Sequence, residues 1–382
     1  MAFKTYSFPA KMEKLLAAAN AKMEKLSSLV SLDRNIYIYG AGNFGTAVYR
    51  LLTGAGLQPR GFVDRRGNDD VSEAYPPVYS PDRFENLSVN RVADVIVISY
   101  LCNDQTFQTA KAALEAKGYH NVLYFLDIYA LYITDRLSPA SPLPGEDVSG
   151  TSVGARIATT ASLLADRESQ DVYQCFLSAL LWGNADLFAP MTSEQQYLAA
   201  LPLRKGYERV IDCGAFDGDT ALAIAASRPE LKSIVCFEPD RKNFLRLCSN
   251  LSACHSFEKI FFPCGVWNST ETMRFNAGTD TTSGISDFGD SLIQCVSIDE
   301  AIPDFKPTFL KMDVEGAEPE AMAGARKTIL QAVPDLAISV YHNIEHMWEI
   351  PLFIKSLNRG YSLYLRSHGH LGLETVLYAT AD

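Results

Sequence analysis

The 382-residue chain contains no run of about 18 apolar residues, so no membrane-spanning helix is expected. Basic residues are in deficit: 34 Lys and Arg stand against 45 Asp and Glu, a formal net charge of −11. That balance argues against a general nucleic-acid binder or a protein of anionic membrane surfaces. The opening, Met1-Ala2-Phe3-Lys4, lacks the basic-then-apolar order of a secretory leader. None of the eight cysteines (Cys102, Cys175, Cys213, Cys236, Cys248, Cys254, Cys264 and Cys295) forms a CxxC pair. Several sit within apolar runs, where a thiol behaves as a small apolar group. A reduced, cytoplasmic protein is expected. Apolar residues, by contrast, are plentiful at 47%, and the length suffices for two domains with sizeable cores.

The stretch around which the chain is organised is Val210-Ile211-Asp212-Cys213-Gly214-Ala215-Phe216-Asp217-Gly218. It reads as a buried strand, a glycine turn and then a helix from Thr220 to Ser227, the device by which a doubly wound sheet opens a crevice for a nucleotide-like ligand. The spacing, Asp-x-Gly-x-x-x-Gly, departs from the dinucleotide fingerprint. Twenty residues after Gly218, the strand Ser233–Phe237 ends in Glu238 and Pro239. A carboxylate there suits a ribose diol, because it accepts from both hydroxyls. A ligand without a pyrophosphate has no need of a tight GxGxxG cradle, and S-adenosylmethionine is such a ligand.

Three segments resemble the FkbM family of S-adenosylmethionine-dependent methyltransferases. They are Ile211–Thr220, Phe237-Glu238-Pro239-Asp240, and Leu310-Lys311-Met312-Asp313-Val314-Glu315-Gly316-Ala317-Glu318, the last being the most specific. The likeness spans roughly the half of the chain after Tyr207. It implies an α/β, seven-stranded, doubly wound methyltransferase lobe. The donor would then be held by Asp212, Gly214, Ala215, Phe216, Gly218, Glu238 and Pro239, with Gly265 and Val266 beside the adenine. The implied reaction is O-methylation of a hydroxyl on a sugar, a glycolipid or a natural product, with a small molecule or glycan as substrate. Tyr197, in Glu194-Gln195-Gln196-Tyr197, is a candidate cap over the cofactor. The polar loop Gly278–Gly284 lies where a substrate would be read.

Methyl transfer to a hydroxyl requires alignment and loss of a proton. Asp313 and Glu315 end the strand Thr308–Met312, and His342 ends the strand Leu336–Tyr341. These three are the candidate catalytic residues, with His342 or Asp313 as the base. His342-Asn343-Ile344-Glu345-His346 also spells HxxEH, an inverted zinc-protease signature. His342 terminates a strand, however, and Ile350-Pro351 limits any helix that starts there, so no metal is expected.

The first half carries a lobe of its own. Asn35–Tyr39 is a strand, Gly40-Ala41-Gly42-Asn43-Phe44-Gly45 is a GxGxxG turn, and Gly61–Val63 is a second strand ending in Asp64. Val92–Ser99, Thr106–Lys117 and Val122–Phe125 complete a Rossmann-like lobe resembling those of bacterial sugar-modifying enzymes. Gly40, Gly42, Gly45 and Asp64 either hold a nucleotide or nucleotide-sugar, or the turn serves packing alone. Two alternative functions follow: a nicotinamide-dependent oxidoreductase or epimerase-like enzyme, and a non-catalytic nucleotide-sugar-binding protein. Lys-Met-Glu-Lys-Leu recurs at Lys11 and Lys22 within a helix over Pro9–Val30, whose stripe of Met12, Leu15, Leu16, Met23, Leu26 and Val30 docks on its own domain or forms a homodimer contact. The expected division is an N-terminal helix (1–33), the Rossmann-like domain (34–135), a linker and helical cap (136–205) that includes Ser138–Gly145 and helices at Thr159–Ala165 and Asp171–Trp182, and the methyltransferase-like domain (206–382).

Overall fold

The computed structural model describes residues 14–15, 17–31, 33–65, 67, 76–87, 89–134, 136–137, 152–276, 284–285, 291–357 and 359–381. The expected linker at Ser138–Gly145, most of the polar loop Gly278–Gly284, and Met12 and Leu16 of the helical stripe lie outside the described residues. The chain divides into two units, Met1–Ser162 with Gln170–Pro190, and Leu163–Ser169 with Met191–Asp382. No helix among the described residues is long and apolar enough to cross a membrane.

In the first unit, β1 (Ile36–Tyr39), β2 (Gly61–Val63), β3 (Val78–Tyr79), β4 (Val95–Ile98) and β5 (Asn121–Tyr124) form a parallel sheet in the order β3-β2-β1-β4-β5. The unbroken Val-Ile run of β4 is buried throughout, as a strand covered on both faces requires. β3 was not expected, being two residues between prolines. The expected strand at Val122–Phe125 ends one residue early, because a helix, Phe125–Ile133, begins there. That helix is apolar nearly all round and so carries no helical period for a sequence reading to find. Its one acid, Asp127, accepts from the Tyr124 N–H at 2.9 Å and pairs with Lys22 at 2.8 Å. The latter contact ties down the helix Asn20–Leu29, whose Met23 is fully buried.

The second unit contains β6 (Arg209–Cys213), β7 (Ser233–Phe237), β8 (Glu258–Phe262), β9 (Gly265–Val266), β10 (Glu271–Asn276), β11 (Gly284–Ile285), β12 (Ser291–Val296), β13 (Phe309–Met312), β14 (Asp335–Ser339), β15 (Tyr361–Ser367) and β16 (Thr375–Ala381). Seven of these form one sheet, in the order β15-β16-β14-β13-β6-β7-β8, in which only β16 runs antiparallel to the rest. This is the seven-stranded, doubly wound α/β lobe expected. A smaller sheet, β11-β10-β12-β9, accompanies it. The chain winds outward from β6 through β7 and β8 on one side, and through β13 and β14 on the other. The switch point therefore lies between β6 and β13, and the turns after those strands flank the crevice.

Two expectations around the fifth strand are corrected. β14 stops at Ser339, so His342 lies in the following turn rather than at a strand end. The helix that follows, expected between Pro351 and Leu357, is His346–Ser356: it starts before the proline and runs through it. The proline gives up one backbone bond, and the buried Trp348, Ile350 and Ile354 hold the helix in place.

At the switch point a charged pair replaces apolar packing. Asp212 of β6 and Lys311 of β13 are in register, their side chains are 0% and 3% exposed, and their charged atoms are 2.9 Å apart. Lys311 Nζ also donates to the Gly214 carbonyl at 2.7 Å and lies 5.2 Å from the centre of the Tyr197 ring. Burial works against the ammonium, and Asp212 outweighs it, holding Lys311 above the ordinary lysine value. Breaking such a pair on one side leaves a buried charge uncompensated. Asp212→Asn is therefore expected to lose about 3–5 kcal/mol of stability in urea unfolding. Lys311→Met added to it should restore part of that loss; a double variant no more stable than Asp212→Asn would show that the pair is not what holds the two strands.

Candidate active site

The turn after β6 is built from three left-handed residues: Gly214 (φ +77°), Phe216 (φ +48°) and Gly218 (φ +90°). At Gly214 no other residue fits, since a Cβ there would fall 1.8 Å from the Asp313 carbonyl oxygen. β6 and β13 thus meet backbone to backbone at their tips. The N–H groups of Gly214 and Ala215 both donate to the Phe237 carbonyl at 3.0 Å, which fastens the turn to β7. Glu238, 6% exposed, completes the fastening: it accepts from the Phe216 N–H and from the Asp240 N–H, each at 2.8 Å. Burial outweighs those two bonds and pushes Glu238 up to about 7. Gly265 lies close by, where an added Cβ would fall 3.9 Å from Pro239 and 2.9 Å from Cys295 Sγ. Val266 is buried beside it in β9, paired with Val296 of β12. Of the residues expected to hold the donor, Gly214, Ala215, Phe216, Gly218, Glu238, Pro239 and Gly265 are thus gathered around one turn. Asp212 is wholly buried beneath it, facing Lys311.

Across the crevice, the turn after β13 carries the candidate catalytic acids. Asp313 Oδ2 accepts from the Tyr197 hydroxyl at 2.7 Å, and Asp313 Oδ1 lies 3.5 Å from the Tyr341 hydroxyl and 3.5 Å from His342 Nε2. Glu315, in a left-handed conformation (φ +55°), places Oε2 3.6 Å from the same nitrogen. Burial pushes its carboxyl up to about 7. Behind them is Glu318, fully buried. It accepts from the Val314 N–H at 2.9 Å, meets His342 Nδ1 at 2.8 Å and lies 3.2 Å from His346 Nδ1. Burial opposes its charge, and His342 outweighs burial, so Glu318 is held well below the usual carboxylate range. In His342 burial likewise opposes the charged form and Glu318 prevails, pushing the imidazole up to about 10. His342, expected as a base, is in this arrangement a cation held between acids.

Tyr197 is buried, in a left-handed conformation (φ +63°), with its N–H donating to the Tyr378 hydroxyl at 2.9 Å and its carbonyl accepting from the Tyr207 hydroxyl at 2.8 Å. A residue strained in this way and held at both ends positions its hydroxyl closely. Sequence reasoning weighed Tyr197 only as a cap and passed over Lys311, Glu318 and Tyr341. A signal for Lys311 was present: a lysine inside the apolar run Phe309–Met312 must be paired. Nothing local joins Glu318 to His342, 24 residues away.

In the first unit, Ala41 N–H donates to Asp64 Oδ2 at 2.9 Å, as Phe216 does to Glu238. Gly45 is required by packing, since a Cβ there would fall 2.0 Å from the Gly40 carbonyl oxygen; Gly42 has open space around it.

Residues 212–369 match the family model described as the methyltransferase FkbM domain. No curated protein matches the chain. Among solved structures the chain is similar to the methyltransferase FkbM of Methylobacillus flagellatus KT, at 22% identity and a TM-score of 0.59, over 97% of this chain and 100% of that one. That likeness establishes the fold. A precorrin-6y C5,15-methyltransferase from Geobacter metallireducens GS-15 matches at 11% identity and a TM-score of 0.31, over 52% of this chain and 96% of that one.

Two left-handed glycines of this unit separate strain from clash. Gly206 (φ +64°) has nothing within 4 Å of an added Cβ, whereas Gly214 meets the Asp313 carbonyl. Gly206→Ala is expected to cost about 1 kcal/mol from the backbone alone. Gly214→Ala should cost clearly more, about 3 kcal/mol or above. Equal losses in thermal unfolding would mean that the strand tips part without penalty.

Proposed function

We propose that this chain, whose residues 212–369 match the FkbM methyltransferase domain model, transfers a methyl group from S-adenosylmethionine to a hydroxyl of a sugar, a glycolipid or another polyhydroxylated natural product. One observation carries the reading. The turn after β6, to which Glu238 is tied, and the turn of acids after β13 flank the switch point of the sheet, the place where doubly wound sheets bind ligands, and this supports a diol-binding end and an acceptor end at one opening. The residues fit the donor. Glu238 has spent one lone pair on each oxygen on backbone N–H groups and keeps others for ribose hydroxyls. Gly218 lets the helix start pack closely on Leu247 and Leu251, and Gly265 lets β9 lie close to Cys295 and Ile293 next to Pro239.

When bound, S-adenosylmethionine supplies a methyl group activated by the positive charge of its sulfur. The chain's own residues do the rest. Lys311 and Asp212 hold the turn against β13, and Glu238 orients the ribose. At the acceptor end the hydroxyl hydrogen-bonds to Asp313. Its oxygen would take the methyl as the methyl–sulfur bond breaks, the electron pair leaving with the sulfur as a neutral thioether, while its O–H bond breaks and the proton passes to the Asp313–Glu315 carboxylates. Tyr197 fixes Asp313, and His342 offsets the repulsion between the two acids. Several hydroxyl donors and acceptors around one opening suit a polyhydroxylated acceptor better than an apolar one. A second reading concerns the first unit, where the Ala41–Asp64 contact supports a nucleotide or nucleotide-sugar in the turn at Gly40–Gly45.

Calorimetric titration of the full chain with S-adenosylmethionine tests the main reading, with NAD and a sugar nucleotide run alongside for the second. Glu238 titrates at about 7, so it is mostly neutral at pH 6 and mostly a carboxylate at pH 8. The carboxylate is the better partner for two hydroxyl donors, so affinity should rise by up to about tenfold between those pH values, with no such rise in Glu238→Gln. Asp313→Asn should lower turnover on hydroxyl acceptors by about 100-fold or more while leaving donor affinity within about threefold. A folded chain that gives no heat with S-adenosylmethionine overturns the reading.

A further inference from the structure

At the acceptor end His342 has one ring nitrogen bound on the far side and one left over, and Asp313 has one oxygen held closely and the other only loosely. The His342 side chain is 8% exposed; Nδ1 is hydrogen-bonded to Glu318, and Nε2 is buried with no hydrogen-bond partner. Asp313 has Oδ2 occupied by the Tyr197 hydroxyl, and Oδ1, which accepts from the Tyr341 hydroxyl only at 3.5 Å, also turns toward that nitrogen. This oxygen and the unpartnered nitrogen face one another across 3.5 Å. That is long for a charge-assisted hydrogen bond, which closes to about 2.7–2.9 Å. It is close to the separation of two neighbouring ligands on a metal ion: bonds of about 2.1 Å put adjacent donors about 3.0 Å apart at a right angle and about 3.4 Å apart at the tetrahedral angle. Ligand atoms of Asp313, Glu318 and His342 lie within 4.8 Å of one another, and Glu315 Oε2 stands 3.6 Å from His342 Nε2 on its own side.

The surroundings have the form of a metal site's outer shell. A ligating imidazole gives its other N–H to a carboxylate, and a ligating carboxylate is itself hydrogen-bonded. Glu318 does the first for His342, and Tyr197 does the second for Asp313. Glu318 is fixed in turn by the Val314 N–H and by His346.

We propose that the acceptor end binds one divalent first-row transition-metal ion, with His342 Nε2 and Asp313 Oδ1 as protein ligands and Glu315 the further carboxylate within reach. The mixture of imidazole and carboxylate suits manganese, iron, cobalt or zinc ahead of calcium. The ion takes the place of a proton on Nε2, while the proton on Nδ1 stays with Glu318. The inference rests on the methyl-transfer reading for its purpose. A hydroxyl bound to the ion gives up its proton more readily, which lets a carboxylate, a weak base for an alcohol, receive it.

The probe is manganese(II), added to EDTA-stripped full-length protein and followed by electron paramagnetic resonance. One ion per chain is expected, with nitrogen-14 modulation from a coordinated imidazole in the pulsed spectrum. His342→Gln should lose that modulation, and Asp313→Asn should bind at least tenfold more weakly. Glu238→Gln should retain both the ion and the modulation. Binding without the nitrogen signal, or no binding at millimolar manganese, overturns the proposal. The wild-type spectrum alone decides the matter should a variant fail to fold. Titration of the same samples with S-adenosylmethionine keeps the two failures apart: donor bound without manganese removes the ion only, and no donor binding removes the reading on which it rests.

Discussion

The second unit depends on a buried ion pair. Asp212 and Lys311 sit on the two strands from which the sheet winds in opposite directions, at the level where those strands give way to turns. Burying two charges there costs more than apolar side chains would, so stability alone does not account for them. What the pair adds is specificity. Lys311 reaches past Asp212 to the Gly214 carbonyl and packs on the Tyr197 ring, so the height of the turn, the register of β6 on β13 and the seat of Tyr197 are set by one ammonium group. Gly214 then brings the two backbones into contact, and Tyr197 carries the constraint on to Asp313.

The acids at the tip of β13 follow a second rule, that buried charges must balance nearby. Asp313, Glu315 and Glu318 crowd into six residues, and His342 is the cation that lies among all three. Glu318 anchors the arrangement. It takes part in the turn through the Val314 N–H, and it draws both His342 and His346 inward from the following segment. The HxxEH spelling thus has a physical basis unlike that of a zinc protease helix. His346 opens a helix, His342 precedes it, and both turn toward the same buried carboxylate.

Much of this was legible. Strand, turn and helix around Asp212–Gly218 follow from an apolar pair, two glycines that must adopt left-handed backbone, and an acid closing the next strand. Glu238 was found because its spacing from Gly218 is that of one turn, helix and strand. The seven-stranded lobe is what the likeness of three segments to the FkbM family implies, and the continuous apolar runs of β6, β7 and β13 agree with parallel burial. The failures have physical causes as well. The strand before His342 reads two residues too long because Val340 and Tyr341 are apolar like the strand, although the sheet pairing stops at Ser339. The helix through Pro351 was cut short because proline was weighed without the burial of Trp348 and Ile354 beside it. Phe125–Ile133 went unseen because a helix buried on every side has no polar face to mark its period. Lys311 was visible as a charge in an apolar strand, yet its partner lies 99 residues earlier in the chain, and only the sheet order joins them. Glu318 and His342 present the same difficulty: each is unremarkable in its own segment, and their chemistry arises from the fold.

The donor site proposed above is formed by the turns after β6 and β7 together. Hydrogen–deuterium exchange of the full chain with and without S-adenosylmethionine tests it most directly. Slowed exchange of the backbone amides over 213–219 and 237–241 is expected, with 40–46 unchanged. Protection confined to 40–46, or none in either unit at saturating donor, would contradict it.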